Sequence, residues 1–355
     1  MGEILGLGMS HYPPLAGRDE NMAGILRGTL RDPDIPAELK EVSNWPPLAQ
    51  KEWGTDKGAK AAADHRKALL HGLDTVRAAI DEFQPDFVLI WGDDQYENFR
   101  EDIIPPFCIL AYEDVEAQPW KLKAPGMPGG ANVWGEREDV VHKIRGHKEA
   151  GKFLASGLIN EGFDVAYAYR PLHVQGFGHA FLNSVAYLDY YRKGFPHRVV
   201  GCSVNCYGSR VLSHEGGAAR FAEVPAGETP DPPSPSPRRC FDLGAATMRV
   251  FKDSPYRAAL LASSSWSHGF LHDKAWRMYP DIESDRAFYE SLKSGNYSKW
   301  RDTTLSEIED SGQQEMLNWF CLAGAMAEIN RKPTWTEYLE TYIFNSNKCF
   351  AIFKS

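Results

Sequence analysis

Five short polar clusters carry most of the side chains in this chain that could bind a metal or move a proton. Ser10-His11-Tyr12-Pro13-Pro14 follows the first apolar run, and Gly92-Asp93-Asp94-Gln95-Tyr96-Glu97-Asn98-Phe99 follows a longer one. Ser263-Ser264-Ser265-Trp266-Ser267-His268-Gly269 follows a third, and Gly312-Gln313-Gln314-Glu315-Met316-Leu317-Asn318-Trp319 opens a helical pattern. Gly178-His179-Ala180 is a weaker fifth. Imidazole and carboxylate together suit a metal centre or proton transfer near neutral pH. Each cluster also has a plain structural reading. A histidine after a strand is commonly a hydrogen-bonded turn residue, Asp93 and Asp94 could cap a helix, and Glu315 could complement a helix dipole. Gly6-x-Gly8 lacks the third glycine of a dinucleotide fingerprint, since His11 stands there, so nucleotide binding is not expected.

The clusters fall where apolar elements begin or end, which is where α/β proteins place their sites. Glu3 to Gly8 reads as a strand, and Leu69, Leu73, Val76, Ile80 and Phe83 recur at helical spacing within 56–83 until Pro85. Phe87-Val88-Leu89-Ile90-Trp91 is apolar throughout, as in a strand covered on both faces. Helices are expected at about 147–160, 239–252, 282–293 and 312–329, and strands at 163–169, 198–205, 257–263 and 348–353. This alternation predicts an α/β fold with a central mixed or mostly parallel sheet covered by helices. One domain spanning 1–355 is expected, with an irregular insertion at 18–57 and a proline-rich surface loop at 224–238. Ser265, Ser267 and Gly269 suggest that His268 sits in an open polar loop.

Composition narrows the function classes. The chain has 355 residues, 43% of them hydrophobic, a formal charge of −9 and a pI near 5.7. An acidic chain without a basic patch is not expected to bind nucleic acid or an anionic membrane. No signal peptide is expected at the N-terminus, and no apolar run approaches the roughly 20 residues of a membrane span. The six cysteines are scattered without a C-x-x-C pair, which reads as reduced, buried thiols and a cytoplasmic location. Cys202 and Cys206 read as packing residues.

Taken in order, the clusters resemble the class III extradiol ring-cleavage dioxygenases, in particular the β-subunit of protocatechuate 4,5-dioxygenase and the gallate and 3-O-methylgallate enzymes. Ser10-His11-Tyr12-Pro13 resembles the family's S-H-x-P. Phe87 to Phe99, with Ile103-Ile104-Pro105-Pro106-Phe107 behind it, resembles a strand, N-D-H-x-x-x-F and I-I-P-x-F. Gly146-His147 to Asp164 resembles the next helix and strand, and Arg239-Cys240-Phe241-Asp242-Leu243-Gly244 resembles R-C-F-x-L-G. Ser267-His268 resembles S-H, Glu315 to Trp319 resembles E-L-x-x-W, and Asn345-Ser346-Asn347 resembles A-S-N.

The resemblance implies a non-haem Fe(II) enzyme that opens a catechol-, gallate- or O-methylgallate-type ring with oxygen. It makes His11 and Glu315 metal ligands, His268 the catalytic base and His179 a second catalytic histidine of the pocket. Tyr12, Asp93, Ser267 and Asn347 fall on its substrate-pocket segments. One position departs: the family's third ligand, the histidine of N-D-H, is Gln95 here. A carboxamide is a poor iron ligand. Asp94 or Asp93 could supply a carboxylate instead, another histidine such as His179 or His65 could complete the set, or the site could have lost its metal. Two other functions compete with ring opening: a non-catalytic binding or scaffold member of the fold, and a metal-assisted hydrolase. The resemblance also allows a homodimer and a small helical α-subunit, whose place the 18–57 segment could take.

Overall fold

In a computed structural model of the chain, residues 2–121, 132–208 and 229–354 are described. The strands are β1 (Glu3–Met9), β2 (Phe87–Asp93), β3 (Phe107–Leu110), β4 (Val115–Ala117), β5 (His142–Ile144), β6 (Ala166–Ala168), β7 (Val199–Val204), β8 (Arg257–Ser263), β9 (Trp335–Leu339) and β10 (Lys348–Phe353). The α-helices are α1 (Gly24–Thr29), α2 (Ala37–Lys40), α3 (Pro47–Trp53), α4 (Ala59–Phe83), α5 (Lys148–Asn160), α6 (His179–Leu188), α7 (Pro237–Lys252), α8 (Ile282–Ser294), α9 (Ser298–Asp302), α10 (Leu305–Asp310) and α11 (Leu317–Glu328).

Eight strands form one sheet in the order β6-β3-β7-β2-β8-β1-β10-β9, and β4 pairs with β5 apart from it. The centre, β7-β2-β8-β1, is parallel. The β3–β7, β1–β10 and β10–β9 pairs are antiparallel. The sheet is thus mixed and mostly parallel, as the alternation predicts.

Period-two geometry divides the core between the two faces. Phe87, Leu89 and Trp91 of β2 pack with Leu243 and Phe251 of α7 and with Leu322 of α11. Val88 and Ile90 face the other way, with Leu69, Leu73 and Val76 of α4 and Phe181 of α6. On the first face α7 and α11 cross closely at two glycines. A Cβ on Gly244 would lie 1.7 Å from the Cys321 carbonyl oxygen, and one on Gly324 1.8 Å from that of Phe241. Gly8 has a packing role as well, since a Cβ there would meet the Trp319 ring at 2.2 Å.

Several elements differ from expectation. The 163–169 strand shrinks to three residues, and the expected helix at 312–329 begins with a 3-10 turn at Gln314–Met316. Helix α6 has no polar stripe because nearly every side chain in it is buried, so its sequence lacks amphipathic periodicity. The 18–57 segment is not wholly irregular. It carries α1, α2 and α3, and its Met22, Leu26, Ile35, Trp45 and Trp53 are buried in the core. Of the proline-rich stretch 224–238, residues 224–228 lie outside the described residues and Pro237 already begins α7. All six cysteines are free and buried. Among the described residues no helix is long and apolar enough to cross a membrane.

Candidate active site

The parallel strands β1, β2 and β8 deliver His11, Asp93 and Ser263 at or just beyond their C-terminal ends, and α6 brings His179 across at its first residue. One nitrogen of each imidazole is already committed. His11 Nδ1 lies 3.0 Å from the Ser263 carbonyl oxygen and 3.2 Å from its hydroxyl. His179 Nδ1 lies 2.9 Å from Glu97 Oε2, and the same carboxylate accepts the His179 backbone N–H at 3.0 Å. The rings meet edge to face with centroids 5.2 Å apart. His11 Nε2 is 3.9 Å from Asp93 Oδ1, a buried oxygen with no hydrogen-bond partner. Donor atoms of His11, Asp93 and His179 all lie within 4.8 Å of one another.

Glu315, on the 3-10 turn before α11, closes the other side. Its Oε1 accepts the Tyr207 hydroxyl at 2.5 Å and the Gln95 amide at 3.2 Å, and its Oε2 is 3.5 Å from His268 Nε2. The same Gln95 amide nitrogen is 3.3 Å from Asp93 Oδ2 and 2.5 Å from the Tyr207 oxygen. Gln95 therefore bridges the two carboxylates. All these side chains are buried.

Buried carboxylates and imidazoles here shift one another's titration strongly. Burial pushes the Asp93 carboxyl well above its usual range, and Glu315 beside it adds to the rise. Burial would lower His179, but Glu97, then Asp93 and Glu315, outweigh it and raise the imidazole to about 10. Burial, reinforced by His179, takes His11 down to about 3. Burial also lowers His268 below its ordinary value, which favours the neutral imidazole. Glu315 is held low against burial by His268, His11 and the Tyr207 hydroxyl. A divalent cation favours neutral imidazole and ionised carboxylate, displacing the protons such a cluster otherwise holds.

The remaining sequence candidates divide. Asp94 turns away, and its carboxylate caps the next turn by accepting the backbone N–H groups of Glu97, Asn98 and Phe99. Tyr12, His11, Gln95, His179, His268 and Glu315 all line a cavity of about 960 Å³. Asp93, Ser267 and Asn347 do not line it. The Ser267 hydroxyl donates to the Ser311 carbonyl, and the Asn347 amide donates to Asp285. The 263–269 turn is not the open loop expected: Ser264, Ser265 and Ser267 are buried and His268 is only 6% exposed. His65 lies on α4 between Tyr12 and Phe344, outside the metal-sized group. Tyr207 and Glu97 are the site residues that sequence reasoning missed. Glu97 stood inside a singled-out cluster, whereas Tyr207 follows β7 with no motif around it.

Residues 229–350 match the family described as the catalytic LigB subunit of aromatic ring-opening dioxygenase. A 2,3-dihydroxyphenylpropionate/2,3-dihydroxicinnamic acid 1,2-dioxygenase of Comamonas testosteroni is 23% identical over 295 residues, 76% of this chain and 84% of that protein. A protein of the same name from Cupriavidus pinatubonensis is 25% identical over 329 residues, 82% of this chain and 90% of the relative. With the mixed sheet and the ordered motifs, these matches support an extradiol ring-cleavage dioxygenase. Its activity class is accordingly that of an oxidoreductase that opens catechol-type aromatic rings.

Proposed function

We propose that the chain uses Fe(II) held among His11, Asp93 and His179, with Glu315 closing the site, to open a catechol-type ring. The observation that carries this is the pair of imidazoles whose Nδ1 atoms are tied to Ser263 and Glu97, facing the unpartnered Asp93 oxygen. Two histidines and a carboxylate with donor atoms this close would suit a non-haem Fe(II) centre. Hydrogen bonds from the far nitrogen to a carbonyl or carboxylate are the usual means of orienting metal-bound histidines. On this reading Asp93 and His179 together replace the histidine that Gln95 lacks. Gln95 acts by holding Asp93 and Glu315 in place, and Asp94 acts by shaping the turn.

When bound, Fe(II) supplies the sites at which catecholate and oxygen react. The protein supplies the rest. His268, neutral and facing the cavity, takes a proton from a ring hydroxyl, work typically worth about 10²–10⁴ in rate. It keeps that proton beside Glu315 Oε2 for return to the opened product. Pro13, Pro14 and Phe270 give the ring an apolar wall that excludes water. The free, buried cysteines support a reducing, cytoplasmic setting. A homodimer and a helical α-subunit rest on the resemblance, and sedimentation of the purified chain with and without such a subunit tests them.

The decisive experiment measures iron content and oxygen uptake with a panel of catechols on anaerobically iron-loaded protein. Stoichiometric iron with diol-dependent oxygen uptake is expected. Iron retention without oxygen uptake, but with ester or amide cleavage, would favour a hydrolase, and no iron retention would favour a binding protein.

A further inference from the structure

The cavity is larger than one ring needs. At about 960 Å³ it lies near the top of the roughly 300–1,000 Å³ range of sites that enclose drug-sized ligands. A single dihydroxylated ring is fragment-sized and would leave most of that volume to water. From the buried His11, His179 and Glu315, the lining passes along half-buried Ile25 and Phe270 to an exposed mouth.

At that mouth stands Trp276, 46% exposed although it is a large apolar side chain. Its backbone is unusual. Ala275 (φ 48°, ψ 33°), Trp276 (φ 54°, ψ 36°) and Arg277 (φ 61°) are three successive non-glycine residues in the left-handed region. Side chains with a Cβ disfavour that conformation, and it persists only where the surroundings enforce it. Here they do. Arg277 is ion-paired with Asp273 across the turn at 2.8 Å, and Met278 behind it is buried. The turn thus holds an indole at the mouth with no aromatic neighbour stacked on it among the described residues. An exposed aromatic at a cavity mouth offers a face on which a ligand can stack.

The charges at the mouth bear on what stacks there. Arg277 is taken up by Asp273, and Arg31 stands beside Asp32 and Asp34, so no net positive charge is left to select an anionic tail. We infer that the diol ring carries a bulky, uncharged aryl substituent, whose far end leaves the reaction centre past Phe270 and stacks on Trp276. Trp276 is then a specificity-determining residue of the ring-opening reaction proposed above, on which this inference rests.

Two diols test it, catechol itself and biphenyl-2,3-diol. With iron-loaded wild type, kcat/KM from oxygen uptake should be at least 10-fold higher for the two-ring diol. Trp276→Ala should raise KM for that diol about 10- to 100-fold, the scale of one buried aromatic contact, with kcat kept. The same variant should leave catechol turnover unchanged, and Trp276→Phe should restore most of the loss. Equal or better use of catechol by wild type would overturn the inference, as would a Trp276→Ala effect equal on both diols. Calorimetric binding without oxygen separates the two claims. Preferential, Trp276-dependent binding of the two-ring diol without any oxygen uptake keeps the subsite and rejects the dioxygenase reading. Equal binding of both diols overturns the subsite while leaving ring opening in place.

Discussion

Two buried polar clusters meet at Ser267 and His268, and their bookkeeping of hydrogen bonds differs. Around Asp285 the donors match the acceptors. Its carboxylate accepts the Ser267 backbone N–H at 3.0 Å, the Gln313 amide at 2.6 Å and the Asn347 amide at 2.7 Å, while Asn347 Oδ1 accepts the Thr341 N–H. Around Asp93 they do not. One Asp93 oxygen and His268 Nδ1 are buried without partners, and Asp93, Glu97 and Glu315 crowd two imidazoles. A saturated network specifies a fold, whereas an unsaturated one retains a cost that only a function repays. Ser267 and Asn347, which the resemblance put in the substrate pocket, belong to the saturated side. Mutations should therefore separate the clusters, those around Asp93 changing metal binding and rate and those around Asp285 changing stability.

The largest contrast is expected at Asp93. Asp93→Ala removes a buried carboxylate that has an unpartnered oxygen, so the melting temperature of metal-free protein should hold steady or rise. Iron retention, read by metal analysis after gel filtration, should be abolished. A variant that keeps stoichiometric iron would remove Asp93 from the ligand set and return the carboxylate role to Glu315 alone. His268→Ala should lower kcat about 10²- to 10⁴-fold with iron content unchanged. Because the side chain is buried, a stability cost of about 1–2 kcal/mol is expected in denaturant titrations. Full turnover would reject the proton-transfer role.

At Asp285 the readout reverses. Asp285→Ala strands three buried donors and should cost roughly 3–5 kcal/mol in urea unfolding, with iron affinity little changed in the folded fraction. The wild-type pH profile supplies a finer test. Burial raises the Asp285 carboxyl to about 7, even against its hydrogen bonds from Asn347 and Gln313. A folded-state pKa above the unfolded value means that the native chain holds a proton the unfolded chain has released. This contribution to stability is complete below the unfolded pKa and is lost as pH rises through about 7. Unfolding free energy should thus fall between about pH 4 and 7 in wild type, more steeply than in Asp285→Ala. Parallel profiles would remove Asp285 as the source.

The fold was more legible in the sequence than the site was. Strands such as Arg257–Ser263 and Lys348–Phe353 stand out because unbroken apolar runs reflect burial on both faces. Helix α6 was missed for the same physical reason: a helix buried all round loses the periodicity that identifies a half-exposed one. The metal-sized group was harder to read. His11 comes from the end of one strand, Asp93 from another and His179 from a helix that the periodicity does not reveal. Their convergence is a property of the parallel sheet, not of any local spacing. Tyr207 carries no local signal at all, and its role exists only because β7 ends beside the turn before α11.

The smallest expected effect is the most specific. Asp93 and Asp94 are adjacent and both buried, yet the Asp93 carboxylate faces His11 and His179 whereas that of Asp94 folds back onto its own turn. Asp94 Oδ1 accepts the Glu97 and Phe99 N–H groups at 3.0 and 3.3 Å, and Oδ2 accepts that of Asn98 at 3.0 Å. Asn in its place keeps a carbonyl oxygen for the Glu97 and Phe99 donors and, at 3.3 Å, for Asn98, and loses only the closer Asn98 bond. Asp94→Asn should therefore cost about 1 kcal/mol, the scale of a lost cap bond, and leave iron stoichiometry unchanged. Asp93→Asn, an equally conservative change one residue earlier, should lose iron with no loss of stability. If Asp94→Asn instead loses iron while Asp93→Asn retains it, the metal is held by Asp94, and the cap seen here must open when the metal binds.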